Sequence, residues 1–254
     1  MITAVSDPYL AFVGFYDAWT EGLIGDVDFY VRRAQAVRGP IVELGVGTGR
    51  IAIPTAEAGQ SVIGVDVSPA MLAEARRRAA LAGVSGKIAF AEADMRSFVA
   101  EAPVELVTIP FRSFLHMESV EDQLRCLRSV RASLAPGGRL ILNTFVPNPI
   151  YMAAQDKRRN LHNTYRDEQG RSCEIWVTPS FETTTQRIDI AVTVETDDGE
   201  QIAETTLGLR MIYPREMEHL LARAGFDVEA VYGDFDERPL TEGCDEMIWV
   251  GRKP

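Results

Sequence analysis

Residues Ile41-Val42-Glu43-Leu44-Gly45-Val46-Gly47-Thr48-Gly49-Arg50 read IVELGVGTGR. Four residues suited to a buried strand lead into three alternate glycines, after which a helical pattern begins at 49–58. Glycines carry no Cβ, so in a strand, turn and helix of this kind backbone N–H groups and the helix N-terminus can approach a nucleotide-like ligand closely. The triplet alone does not say which ligand. The dinucleotide fingerprint is Gly-x-Gly-x-x-Gly with its last glycine inside the helix, and that position is Arg50 here, so the spacing departs by one.

Working outward, apolar runs at 41–45, 61–66, 87–92, 104–109 and 138–145 alternate with helical stretches at 49–58, 69–83 and 120–134. That alternation predicts an α/β fold built of βαβ units around a doubly wound parallel sheet. Ser68-Pro69 supplies an N-cap and an N1 proline, Gly83 a stop, and LAPGG at 134–138 a turn into the next strand. After VPNP at 146–149 a polar segment, 155–171, leads to SCEIWVTPSF, RIDIAVTVET and EQIAETTLGLRMIY, which have no helices between them. Asp197-Asp198-Gly199-Glu200 reads as a hairpin turn between two of them, so this region is expected to be antiparallel. A helix at 214–224 and strands in FDVEAVYGDF and DEMIWVGRKP then return to the α/β pattern. The expected organisation is a core of 1–150 and 214–254, with an N-terminal helical cap over 1–39, and an antiparallel β insertion over 151–213.

The chain has 254 residues, 26 basic against 37 acidic, and a formal net charge of −11 without a Lys/Arg-rich block. Nucleic-acid binding is therefore disfavoured. The start, MITAVSDPYLAFVGFYDAWT, has no basic n-region and carries Asp7 and Asp17, so neither a signal peptide nor a membrane span is expected. Cys126, Cys173 and Cys244 are far apart and odd in number, as are His116, His162 and His219. A reduced, cytoplasmic setting without a metal site is the expectation. A homo-oligomer remains open.

The second strand ends SVIGVDVSPAML, which sets Asp66 about twenty residues beyond the glycines. A carboxylate there can accept both hydroxyls of a ribose. The third strand ends IAFAEADM, bringing Asp94 and Met95 to the same sheet edge, where an adenine ring would lie. Two carboxylates at consecutive strand ends suit adenosine without a pyrophosphate, although a NAD-type or non-catalytic nucleotide-binding module is the competing reading.

Glu43-x-Gly45-x-Gly47-x-Gly49, Asp66-x-Ser68-x-x-Met71-Leu72, Asp94-Met95 and Leu134-Ala135-Pro136-Gly137-Gly138 together resemble the class I S-adenosylmethionine (SAM)-dependent methyltransferases over roughly 40–145 and 214–252. The resemblance implies a Rossmann-like seven-stranded sheet with its last strand antiparallel and SAM as cofactor. It implies the methionine end near the glycines, ribose on Asp66, and adenine near Asp94 and Met95. Tyr16, Glu43, Val67, Met71, Pro110 and Phe111 complete the expected cofactor contacts. Glu43 is read equally as a strand-end residue bonding backbone N–H groups.

The fourth strand and its exit read VELVTIPFRSFLHM, with no acid at the strand end to hold the Mg²⁺ of catechol-type O-methyltransferases. Asn148-Pro149-Ile150-Tyr151, the nearest match to a nucleic-acid amino-methyltransferase motif, follows the fifth strand instead and is read as a turn. Ser113-Phe114-x-His116 is similar to the glycine/sarcosine-type N-methyltransferases, in which an antiparallel insertion after the fifth strand covers the substrate as a lid. PYLAFVGFYDAW with PFRSF looks like the antibiotic-tailoring N-methyltransferases, including the lincosamide enzymes. These likenesses imply methylation of an amine on a small molecule in natural-product biosynthesis. O-methylation of a hydroxylated or acidic small molecule is the alternative.

In-line displacement at a sulfonium asks mainly for proximity. Tyr9, Tyr16 and Phe111 are candidate aromatic faces for the positive sulfur, and His116 a candidate proton acceptor, against a purely structural role. Arg112 is assigned either an acidic group of substrate or cofactor or a surface carboxylate. Tyr9, Phe114, Tyr165 and Trp176 are the remaining candidate substrate contacts, and Arg158 is a weaker one.

Overall fold

The computed structural model describes residues 9–21 and 25–254. Asp7 and the other residues before Tyr9, part of the case against a signal peptide, lie outside them. In chain order the helices are α1 (Tyr16–Thr20), α2 (Asp26–Gln35), α3 (Ala52–Glu57), α4 (Pro69–Leu81), α5 (Val120–Ser133), α6 (Pro149–Gln155) and α7 (Pro214–Arg223). The first strands are β1 (Ile41–Leu44), β2 (Val62–Asp66), β3 (Ile88–Glu92), β4 (Val104–Ile109) and β5 (Leu134–Phe145). They are followed by β6 (Asn160–Arg166), β7 (Ser172–Glu182), β8 (Arg187–Thr196), β9 (Gln201–Arg210), β10 (Asp227–Tyr232) and β11 (Glu246–Arg252).

The chain divides into two compact units, one of Ile24–Val146 with Ile212–Pro254, the other of Met1–Leu23 with Pro147–Met211. In the first, seven strands lie in the order β10-β11-β5-β4-β1-β2-β3. All neighbours are parallel except at β11, which is antiparallel to both β10 and β5. Ile41, Val42, Leu44, Leu106, Val107 and Ile109 of β1 and β4 are buried, as expected of central parallel strands covered on both faces. Helix starts follow the sequence punctuation. Ser68 Oγ accepts the Met71 N–H at 3.1 Å with Pro69 at N1, and Ser119 Oγ accepts the Asp122 N–H at 3.0 Å. LAPGG, expected as a turn, is part of β5 instead, because Leu134 pairs with Val104 before the register shifts at Leu106.

The second unit holds an antiparallel sheet in the order β6-β7-β8-β9. Three strands are expected here and four are found. Strand β6 lies inside the polar segment 155–171, at an edge and mostly exposed, where apolar alternation is not needed. The expected helical cap over 1–39 is also interrupted. Leu10–Phe12 is a 3₁₀ turn, α1 has five residues, and α2 is a separate helix that falls in the other unit. Phe12 and Phe15 are buried with ring centroids 5.0 Å apart, and Trp19 meets Phe12 edge-on at 5.4 Å. Strand β6 satisfies the last carbonyls of α1: Asn163 Nδ2 donates to Ala18 O at 2.8 Å, and His162 Nε2 lies 3.0 Å from Trp19 O. Among the described residues no helix is long and apolar enough to cross a membrane.

Candidate active site

The glycine turn is held at both ends by the second strand. Gly45 and Val46 N–H groups share Val65 O at 2.8 and 3.0 Å, and Gly47 N–H donates to Asp66 Oδ2 at 2.8 Å. Gly45, Gly47 and Gly49 have φ of 71°, 54° and 85°, left-handed values that favour glycine. At Gly45 a Cβ would lie 2.8 Å from both Cβ and Oγ of Ser113, and 3.6 Å from Met95 Cε. The ends of β1, β3 and β4 therefore converge on that glycine. Asp66 also accepts the Ser68 N–H at 2.9 Å. Beside it Val67 is 57% exposed, while Met71 is packed into the core.

Glu43 is buried beneath the turn, and its Oε2 has no hydrogen-bond partner among the described residues. Burial pushes its carboxyl from the ordinary 4.5 up to about 8, although nearby Arg50 pulls the other way. Arg50 is bound through both Nη atoms to the buried Asp26 carboxylate, at 2.5 and 3.1 Å, and its guanidinium lies 5.0 Å from the Phe111 ring centroid. Asp94 accepts from Arg96 Nε at 2.9 and 3.0 Å and from the Arg96 N–H at 2.8 Å, and the hydrogen bonds from that side chain hold its carboxyl below the usual range. Arg96 extends the cluster to Asp122 at 3.1 Å.

Beyond β4 the backbone is strained. Phe111 and Arg112 take φ of 51° and 64° in succession, conformations that cost non-glycine residues on the order of 1–3 kcal/mol each and cluster at functional sites. The Arg112 guanidinium grips Glu246 through Nε, at 2.9 Å, and through Nη2, and lies 5.6 Å from the Phe145 ring centroid. Glu246 Oε2 accepts from Asn143 Nδ2 at 2.9 Å, and Asn143 Oδ1 accepts the Tyr30 hydroxyl at 2.9 Å. Burial pushes both the Glu246 carboxyl and the Tyr30 phenol up. Arg112 thus forms the salt bridge that one of its two expected readings called for, with a buried carboxylate on β11 in place of a surface one.

Ser113–His116 forms a 3₁₀ turn in which Phe114 and Leu115 are fully buried and His116 is half-buried. Phe114, expected as a substrate contact, is packed in the core. Pro110 is buried too. Asn148 accepts the N–H groups of Ile150 and Tyr151 at 3.0 and 3.1 Å, so that tetrapeptide is the cap of α6. Tyr9, Tyr16, Tyr165 and Trp176 belong to the other unit and are half-buried there. Tyr165 faces Cys173 across β6 and β7, and burial pushes its phenol up to about 12. Trp176 donates to Glu174 at 3.0 Å and carries the Arg159 guanidinium 4.2 Å over its ring. Among the described residues no group of three or more His, Cys, Asp or Glu could hold a metal ion.

Asp26, Tyr30, Asn143 and Glu246 escape the sequence reading. The available signal was a polar residue inside an apolar strand, Asn143 in LILNTF and Glu246 in EMIWVG, together with the i,i+4 spacing of Asp26 and Tyr30.

Residues 41–138 match the family model described as a methyltransferase domain. The chain is 26% identical over 215 residues to the cypemycin N-terminal methyltransferase of a Streptomyces species, covering 83% of this chain and 81% of that protein. Its fold is similar to the CcbJ methyltransferase from Streptomyces caelestis, with a TM-score of 0.79, 23% identity, and coverage of 92% and 97% of the two chains. It is also similar to an amino pentose methyltransferase of calicheamicin biosynthesis from Micromonospora echinaspora, with a TM-score of 0.70, 22% identity, and 94% of each chain covered. With this sheet order, and with a methyltransferase domain matched across the glycine turn, Asp66, Asp94 and the exit of β4, the chain has the fold of the class I SAM-dependent methyltransferases.

Proposed function

We propose that this methyltransferase moves the methyl group of its SAM cofactor to an amine nitrogen of a small molecule in natural-product tailoring. The observation that carries the reading is the convergence at Gly45. There the glycine turn, the end of β3 and Ser113 beyond β4 meet so closely that a Cβ has no room. The residues present suit the cofactor. The Asp66 carboxylate stands at the end of the second strand against the glycine turn, where a ribose would meet it. Val67, left 57% exposed beside it, offers an apolar face to a purine. Glu43, with its unpartnered buried oxygen, suits the methionine ammonium.

The cofactor supplies an electrophilic methyl on a positively charged sulfur. The chain's share is to hold a nucleophile about 3 Å away and in line. An amine must be neutral to attack, and His116, half-buried beyond β4, is the group assigned to accept its proton. Arg112 is neutralised by Glu246 and adds no net charge that would demand an acidic acceptor. The Ser113-Phe114-x-His116 segment, and the word N-terminal in the cypemycin enzyme's name, favour nitrogen over oxygen.

The test is a mass-spectrometric screen for the gain of one methyl across amine, amino-acid and hydroxyl acceptors with SAM supplied, alongside titration with S-adenosylhomocysteine. Methylation confined to hydroxyl acceptors would overturn the choice of nitrogen. Binding of NAD with none of S-adenosylhomocysteine would overturn the whole assignment. His116→Ala should lower turnover while leaving cofactor affinity unchanged; full activity across pH makes His116 structural.

A further inference from the structure

Helix α2 carries Asp26 and Tyr30 one turn apart, both buried, and each begins a chain of side chains. From Asp26 the chain runs through Arg50, the residue after the last glycine of the turn, to the ring of Phe111. From Tyr30 it runs through Asn143 and Glu246 to Arg112. Both chains end on adjacent residues, and these two are the one adjacent pair of non-glycine residues with left-handed φ among the described residues.

We propose that Asp26 and Glu246 are positioning residues of a closed circuit through which α2 couples the glycine turn to Phe111-Arg112. The proposal rests on the reading that the turn holds the cofactor and that the exit of β4 faces the acceptor. Strained backbone persists only where its surroundings over-determine it, and here each of the two residues has its own anchor. Each anchor contains a guanidinium paired with a buried carboxylate, so loss of the guanidinium leaves a buried charge unmatched and loss of the carboxylate frees the guanidinium. A ligand that orders the glycine turn fixes Arg50, and with it the ring against which Arg50 lies. Binding at one strand end thereby stiffens the next, so that cofactor binding prepares the acceptor side. None of the residues between α2 and Phe111-Arg112 needs to touch the acceptor.

Hydrogen exchange read by mass spectrometry on the full chain, with and without S-adenosylhomocysteine, tests this in wild type, Glu246→Gln and Asp26→Asn. In wild type the ligand should slow exchange both at 43–50 and at 111–116. In Glu246→Gln, exchange at 111–116 should be about tenfold faster without ligand. Protection at 43–50 should survive in that variant, and the ligand-induced protection at 111–116 should be lost. Asp26→Asn should also lose the transmitted protection. A purely structural role would loosen 111–116 equally with and without ligand, leaving the ratio as in wild type, and that result overturns the proposal. If exchange rises across the whole sheet in Glu246→Gln, Arg112→Lys replaces it as the test with the same expectation, since it leaves the buried carboxylate in place. Absence of any protection at 43–50 in wild type counts against the cofactor reading instead. In that case unchanged free-state exchange at 111–116 in the variants still overturns the circuit.

Discussion

Glu43 combines burial with an unpartnered oxygen, and its carboxyl stands at about 8 in the folded chain against an ordinary 4.5. A group whose folded value is raised contributes stability that is fully present below about 4.5 and is lost as pH rises through about 8. Glu43→Gln should therefore match wild type near the lower limit and exceed it above the upper one. The gap should be a few kcal/mol, at about 1.4 kcal/mol per pK unit. Thermal unfolding of both proteins across that range measures it, and a difference that does not change with pH would refute the neutral buried carboxyl. Asp66→Ala removes a charged acceptor and should weaken S-adenosylhomocysteine binding by about 1–3 kcal/mol. Calorimetric titration reads this directly, and unchanged affinity would remove Asp66 from the ribose. Asp66 is legible in the sequence because it ends an apolar strand at a fixed distance from the glycines. The commitment of Arg112 to Glu246 is not, since 134 residues separate them and no periodicity links them.

Among elements, the glycine turn is the least tolerant. Gly45→Ala would place a methyl 2.8 Å from Ser113 in a backbone with φ of 71°. Both the clash and the strain act, so the variant should lose at least about 1 kcal/mol of stability together with cofactor affinity. Denaturant unfolding and ligand titration test the two effects separately; an unperturbed variant would mean that the two strand ends are not in close contact. In the other unit, Asn163→Ala removes the donor to Ala18 O and to Glu21, freeing the end of α1. Chymotrypsin should then cleave among Phe12, Phe15, Tyr16 and Trp19 faster than in wild type, and an unchanged rate would show that packing alone holds the segment. Caps and strand centres were legible because a proline, a serine or an apolar run acts on its immediate neighbours. Strand β6 was not, because an edge strand with exposed faces carries no such pattern.

On the scale of the whole molecule, the net charge of −11 is not gathered into any basic counter-patch in the sequence. The protein should pass through a heparin column unretained at about 0.15 M salt, where screening acts over roughly 8 Å. Retention there would reopen nucleic-acid binding. The sequence by itself determined the α/β alternation, the glycine turn, Asp66 and the antiparallel insertion. Each depends on hydrogen bonding, capping or burial within a few residues along the chain. Only the tertiary structure decided that residues 26, 50 and 111, and likewise 30, 143, 246 and 112, would meet. Buried polar groups must find partners wherever the sheet order and α2 bring complementary atoms together, and that pairing is set in space, with no spacing along the chain to announce it.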